Sequence, residues 1–188
     1  GGPLPHMMAA KAVAFEEAST DSFQTYAAQI VENAQALALG CIDAGLTVLT
    51  NGTDNHLLQI DVTPFNLNGR QGEALLREAR ITLNKNTIPF DPNGPWYASG
   101  LRVGTPALTT LGMGPEEMQE IAAIMGNVLS NARPLKLTKG RNAGQFSKIR
   151  YKVKDGVLED AQQRASNLLS RFPLYPELDL DVLQQAFA

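Results

Sequence analysis

Apolar residues fall along this chain in patterns that switch between helical and strand periods. Residues 5 to 18 are apolar nearly all round: Met7, Met8, Ala9, Ala10, Ala12, Val13, Ala14 and Phe15 are interrupted only by Lys11 and then by Glu16 and Glu17. So much alanine predicts a helix, and a helix apolar on most sides is ordinarily buried. Ser19-Thr20-Asp21-Ser22 breaks it with N-cap chemistry. From 22 to about 43, Phe23, Tyr26, Ala27, Ile30, Val31, Ala34, Leu37 and Ala38 recur with the 3.6-residue period of a second helix. Gly45 is placed to stop it.

The period then changes. Thr47 to Thr50 and His56 to Val62 read as strands joined by a turn at Asn51-Gly52, with Leu58, Ile60 and Val62 alternating onto one face. Asn68 is placed to cap a helix from about 69 to 79. A short strand is predicted at Ile81 to Leu83, then a long loop from Asn84 to Gly100, then a strand from Leu101 to Gly104. Loops of that length are often functional. Pro115 with Glu116 and Glu117 opens another helix, with Met118, Ile121, Ala122, Met125, Val128 and Leu129 as its stripe. A final helix runs from about Val157 to Phe172 and is ended by Pro173 and Pro176. This order predicts an α+β fold: a small, mostly antiparallel sheet with helices on one face.

Composition narrows the classes. The 188 residues are 44% hydrophobic and 19% charged, an ordinary globular mixture. No apolar run approaches the roughly 18 residues of a membrane span. One cysteine, Cys41, excludes an internal disulfide framework and a multi-cysteine zinc site, and two histidines argue against a histidine-rich metal site. A net charge of -3 does not suit a general polyanion binder. No basic stretch followed by an apolar one marks a signal peptide, so a cytoplasmic location is expected.

Four features carry candidate chemistry. In Ser99-Gly100-Leu101-Arg102-Val103-Gly104-Thr105, an always-charged guanidinium sits mid-strand between two glycines. It suits bidentate capture of a carboxylate, or pairs as an edge-strand arginine with a surface acid. Asn84-Lys85-Asn86-Thr87-Ile88-Pro89 places polar side chains where a long loop opens, as ligand contacts or as turn formers. Thr53-Asp54-Asn55-His56 reads as a hairpin turn in which the Asp54 side chain holds backbone amides; a catalytic pairing of Asp54 with His56 has no nucleophile motif beside it. Finally, Arg133, Lys136, Lys139, Arg141, Lys148, Arg150, Lys152 and Lys154 follow one another with no intervening acid, and they are half of the chain's 16 Lys and Arg. That run reads as a solvated hairpin or loop, or as an anion site. Ile149 to Lys154 alternates like a strand, and only Phe146 and Tyr151 interleave, too few for a base-stacking surface.

Taken together, these segments resemble serine hydroxymethyltransferase. The resemblance rests on Gly-Gly-Pro-Leu-Pro-His at 1 to 6, Ala-Ala-Lys-Ala-Val-Ala-Phe at 9 to 15, Thr-Asp-Asn-His at 53 to 56, Asn-Lys-Asn-Thr-Ile-Pro at 84 to 89 and Ser-Gly-Leu-Arg-Val-Gly-Thr-Pro-Ala at 99 to 107. It implies a pyridoxal 5'-phosphate enzyme with the aspartate aminotransferase type of fold, interconverting serine and glycine with tetrahydrofolate as the one-carbon cosubstrate. It implies that Arg102 grips the amino-acid carboxylate, that Asn86 contacts the folate head group, and that the amides of Gly1 and Gly2 reach the cofactor phosphate of a neighbouring subunit. A homodimer or dimer of dimers follows.

The family's cofactor lysine lies in a Thr-His-Lys motif upstream of Gly-Gly-Pro, and no Thr-His-Lys occurs here. The expectation is therefore the C-terminal part of such an enzyme: an inter-domain segment and helix over 1–20, a small domain over 21–188, and a basic extension at about 132–156. No catalytic residue and no metal ligand are expected in this chain, which by itself should be inactive. Its partners would be the N-terminal half, a second subunit, the amino acid and the folate, with no membrane and no nucleic acid. The competing reading is a stand-alone anion- or ligand-binding module derived from that domain. Such a module should cover the apolar face of residues 7 to 15 itself. Arg102 and Asn86 are expected to face one cleft beside residues 1 to 6.

Overall fold

In a computed structural model, which describes residues 1–176, 178 and 182, the element order is α1 (Pro5–Ala18), α2 (Asp21–Asp43), β1 (Thr47–Val48), β2 (Leu57–Asp61), α3 (Gly69–Glu78), β3 (Asn84–Asn86), β4 (Gly100–Gly104), α4 (Pro106–Thr110), α5 (Pro115–Ser130), β5 (Ala132–Lys136), β6 (Phe146–Val153) and α6 (Val157–Arg171). The α+β architecture is as expected. One sheet has the order β1-β2-β4-β3, every pair antiparallel, and β5 and β6 form a separate antiparallel ribbon.

Alternation decides how the sheet sits. Leu58 and Ile60 of β2 and Leu101 and Val103 of β4 point to one face and are buried there. That face packs into one core with Leu37, Ala38 and Cys41 of α2, Leu75 and Leu76 of α3, and Met118, Met125 and Leu129 of α5. The opposite face carries Gln59, Asn84 and the exposed Arg102 in register. Burial pushes the Cys41 thiol up to about 12, so the thiolate that reacts with electrophiles is scarce at neutral pH. Cys41 is expected to react with a thiol reagent only after unfolding, as titration with and without denaturant would show.

Caps explain the helix starts. The Thr20 hydroxyl accepts from the Phe23 amide at α2. Asn68 and Gln71 exchange side-chain and backbone bonds in a capping box at α3. At α5 the Glu117 carboxylate accepts from the Gly114 amide at 2.8 Å. That bond, helped by Arg171, outweighs burial and holds its pKa below the usual carboxylate range. Helix α6 is clasped to α5 by a two-pronged pair, Arg164 Nε and Nη2 donating to Glu120 at 2.7 and 2.8 Å.

Several expectations need correction. The strand expected at 81–83 lies three residues later, at Asn84–Asn86, and shortens the expected loop. The strand expected over 47–50 pairs only at Thr47 and Val48, because Thr50 and Asn51 turn into positive φ. A short helix at 106–110, absent from the sequence reading, follows β4 directly, with Pro106 in its first turn. The basic run is a true ribbon: Ala132–Lys136 pairs with Phe146–Val153, with a register shift between Pro134 and Lys136. The most pronounced departure is α1. None of its residues is buried, and Met8 and Phe15 are 65% and 70% exposed.

Candidate functional site

The outer face of the sheet holds Arg102, Asn84 and Asn86 among the polar residues picked out above. β4 is an inner strand, with β2 on one side and β3 on the other. Leu101 and Val103 take its inward positions, so Arg102 between them must face outward. Arg102 is registered with Gln59 on β2 and Asn84 on β3. Its Nε donates to Asn84 Oδ1 at 3.1 Å. Among the described residues Arg102 meets no carboxylate, which removes the reading of an edge arginine paired with a surface acid. The glycines flanking it on this face have separate reasons. A Cβ on Gly100 would lie 2.5 Å from Ile88 Cγ2, so Gly100 admits the loop. A Cβ on Gly104 would come 3.3 Å from the His56 carbonyl, a tight fit beside the guanidinium.

A cleft of about 380 Å³ opens at this place, lined by His56, Leu57, Thr82, Leu83, Asn84, Arg102, Val103 and Gly104. That volume suits a small metabolite. Asn86 is on the same outer face, registered with Gly100, but it does not line this cleft. Its Nδ2 donates to the Thr87 carbonyl at 2.8 Å, and its Oδ1 accepts nothing among the described residues. Residues 1 to 6 do not line the cleft either, contrary to the expectation that they flank it. Gly1 and Gly2 are exposed at the head of α1, with no neighbour that a Cβ on Gly2 would touch.

The turn before β2 differs from its expected construction. Asn55 Oδ1 accepts from the Leu57 amide at 2.9 Å, while Thr53 Oγ1 accepts from the Asn55 amide and donates to the Leu57 carbonyl at 2.7 Å. Thr53 and Asn55, not Asp54, hold it. His56 lies at its end; its carbonyl accepts from the Thr105 amide at 3.1 Å, and the residue lines the Arg102 cleft.

Asp91 was not singled out by the sequence, yet it fastens the loop between β3 and β4. Its carboxylate accepts from the amides of Ile88, Asn93 and Ser99 at 3.1, 2.8 and 2.9 Å and from the Ser99 hydroxyl at 2.5 Å. Burial alone would raise its pKa, but these bonds outweigh it and hold the carboxyl below its ordinary range. Its folded pKa therefore lies under the unfolded value near 4. The stabilisation is complete above that value and disappears as pH falls through the lower, folded one. Replacing Asp91 by Asn is expected to cost about 2 kcal/mol at pH 7 and to flatten the acid limb of stability below about pH 4, as urea unfolding across pH would measure. The signal in the sequence was only an Asp eight residues before a Ser.

The basic ribbon lies apart from this face. Gln71 Nε2 donates to the carbonyls of Ser147 and Arg150, and Asn68 Nδ2 donates to that of Lys148, tying β6 to the start of α3. None of its eight cations forms an ion pair among the described residues. The described residues hold no group of three His, Cys, Asp or Glu that could bind a metal ion, and none of their helices is long and apolar enough to cross a membrane.

With this geometry in view, the family model for serine hydroxymethyltransferase matches residues 1–125. The chain belongs to the serine hydroxymethyltransferase family. It is 51% identical to the serine hydroxymethyltransferase of Treponema pallidum over 187 residues, covering 100% of this chain and 32% of that protein. It is 52% identical to that of Chlamydia abortus and 48% identical to that of Cutibacterium acnes, over 97% and 96% of this chain and 36% of each relative. The chain thus spans about a third of the length of the curated relatives it matches. Within the serine hydroxymethyltransferase family the model ends at residue 125, whereas the match to the Treponema protein runs on through the basic ribbon.

Proposed function

We propose that this chain is the C-terminal part of a serine hydroxymethyltransferase and that Arg102 is its receptor for the amino-acid carboxylate. The observation that carries the reading is an outward guanidinium on an inner strand, with no acid paired to it among the described residues, at the edge of a cleft of small-molecule size. A planar fork binds a carboxylate through two parallel bonds and so fixes the bonds at Cα, which a lysine ammonium cannot do. In this reading Asn86, whose Oδ1 accepts nothing among the described residues, contacts the folate head group. Gly1 and Gly2, whose surroundings are open, offer amides to the phosphate of pyridoxal 5'-phosphate held mainly by a neighbouring subunit.

These residues fit a carboxylate grip and a phosphate contact, and nothing more of the cofactor. The bound cofactor supplies the electron sink for bond breaking at Cα. This chain's share is to bind and orient the substrate, with no residue of its own in a catalytic role. Residues 1–20 then form an inter-domain segment and helix, and 21–188 the small domain, with a basic extension at 132–156. The exposed apolar side chains of α1 support burial against the rest of the enzyme or its second subunit, in a cytoplasmic dimer or dimer of dimers, over a free-standing module. The test is visible absorbance with added pyridoxal phosphate. The isolated chain is expected to show no protein-bound cofactor band, and the full-length protein one that shifts on adding glycine. A glycine-sensitive band from the isolated chain, or none from the full-length protein, would overturn the reading.

A further inference from the structure

We propose that Asn84 is a positioning residue that sets which edge of the Arg102 guanidinium receives the substrate carboxylate. The inference rests on the reading of Arg102 given above. Three observations carry it. First, Asn84 and Arg102 are direct cross-strand partners on the outer face, and both line the same cleft. Second, Arg102 Nε donates to Asn84 Oδ1 at 3.1 Å. Third, the amide of Asn84 is itself oriented, because its Nδ2 donates to the Lys85 carbonyl at 2.7 Å. The assignment of its oxygen and nitrogen is unambiguous: a guanidinium only donates and a carbonyl only accepts, so Oδ1 must face Arg102.

The consequence is geometric. A guanidinium can take a carboxylate side-on, through Nε and one terminal nitrogen, or end-on, through both terminal nitrogens. Asn84 occupies Nε and so closes the side-on edge. The carboxylate is left with the end-on fork, which has no partner among the described residues. Holding the fork at Nε also removes rotational freedom from a long side chain before the substrate arrives, so less is lost on binding. Asn84 touches the arginine and not the reacting atoms. Its loss should weaken substrate binding while leaving turnover of bound substrate nearly as it was.

The experiment is steady-state kinetics of the full-length enzyme carrying Asn84→Leu, Asn84→Asp or Arg102→Lys. Asn84→Leu removes the acceptor and is expected to raise KM for serine roughly tenfold, as for a lost hydrogen bond to a charged group, with kcat within about twofold. Asn84→Asp keeps the shape, so it folds if the native protein does. Its carboxylate neutralises the guanidinium and competes with the substrate, so KM should rise further than for Asn84→Leu, and this excess should shrink as salt screens the pair. A merely structural role would give Asn84→Asp the milder effect and no salt dependence. If Arg102→Lys raises KM but neither Asn84 variant does, this inference is overturned and the reading of Arg102 stands. If Arg102→Lys leaves KM unchanged, that reading falls and takes this one with it.

Discussion

Arg102→Lys in the full-length protein is expected to raise KM for serine about a hundredfold. Two charge-assisted hydrogen bonds at about 1.5 kcal/mol each are lost from a partly enclosed cleft, and every 1.4 kcal/mol is a tenfold change. Lysine keeps the positive charge, so a simple Coulombic role would leave most of the affinity in place. What it loses is the planar fork and the Nε donor that Asn84 Oδ1 holds at 3.1 Å. The substrate's Cα bonds would then be poorly aligned, and kcat should fall along with affinity. Stability should hardly change, because Arg102 is exposed and forms no ion pair among the described residues. Kinetics beside a thermal melt would separate the two effects. A variant with unchanged KM would show that the amino acid binds elsewhere.

Gly126→Val is expected to cost about 3 kcal/mol of folding stability. Gly126 lies where α5 crosses the end of α2, and a Cβ there would sit 2.6 Å from Ala44 Cβ and 2.9 Å from the Ala44 carbonyl oxygen. The oxygen is backbone and cannot swing aside as a flexible side chain would. At the facing position on α2, a Cβ on Gly40 would come 2.9 Å from Ala122 Cβ. Both helices therefore carry glycine at their contact, and a larger residue must push them apart. The displacement would disturb the core beneath Leu37, Cys41, Met125 and Leu129. Gly94→Ala is the control: nothing lies within 4 Å of its Cβ position, so its effect should stay within about 0.5 kcal/mol. Urea unfolding of the three proteins measures the difference. Equal midpoints for Gly126→Val and the unsubstituted protein would mean that the two helices do not cross this closely.

Much of the architecture was legible without coordinates. The 3.6-residue stripes located α2, α5 and α6, Asn68 marked the start of α3, and the alternation of Leu58, Ile60 and Val62 gave the inward face of β2. In each case a local rule and the tertiary structure agree, because a stripe of that period can be buried in only one way. The Arg102 segment was legible for the same reason: an arginine between two inward apolar residues on a strand has to face out. The family motifs, too, were present in the residues themselves.

Other features were decided only by tertiary contact. Asn84-Lys85-Asn86 has no apolar content and reads as loop; it becomes a strand because β4 offers it an edge and Lys85 Nζ reaches Glu73 at 3.7 Å beneath it. The pairing of β5 with β6 links residues separated by a polar, glycine-bearing turn, and its register shift has no local signature. Asp91 became a knot only when folding brought three amides and a hydroxyl to it. The apolar composition of α1 predicted burial that the other described residues do not provide, since none of its own residues is buried. Sequence alone therefore determined which residues face inward and which chemistry is available. Tertiary structure decided which polar groups meet across strands, because hydrogen bonds between distant residues depend on register and close approach, and neither is written in a local period.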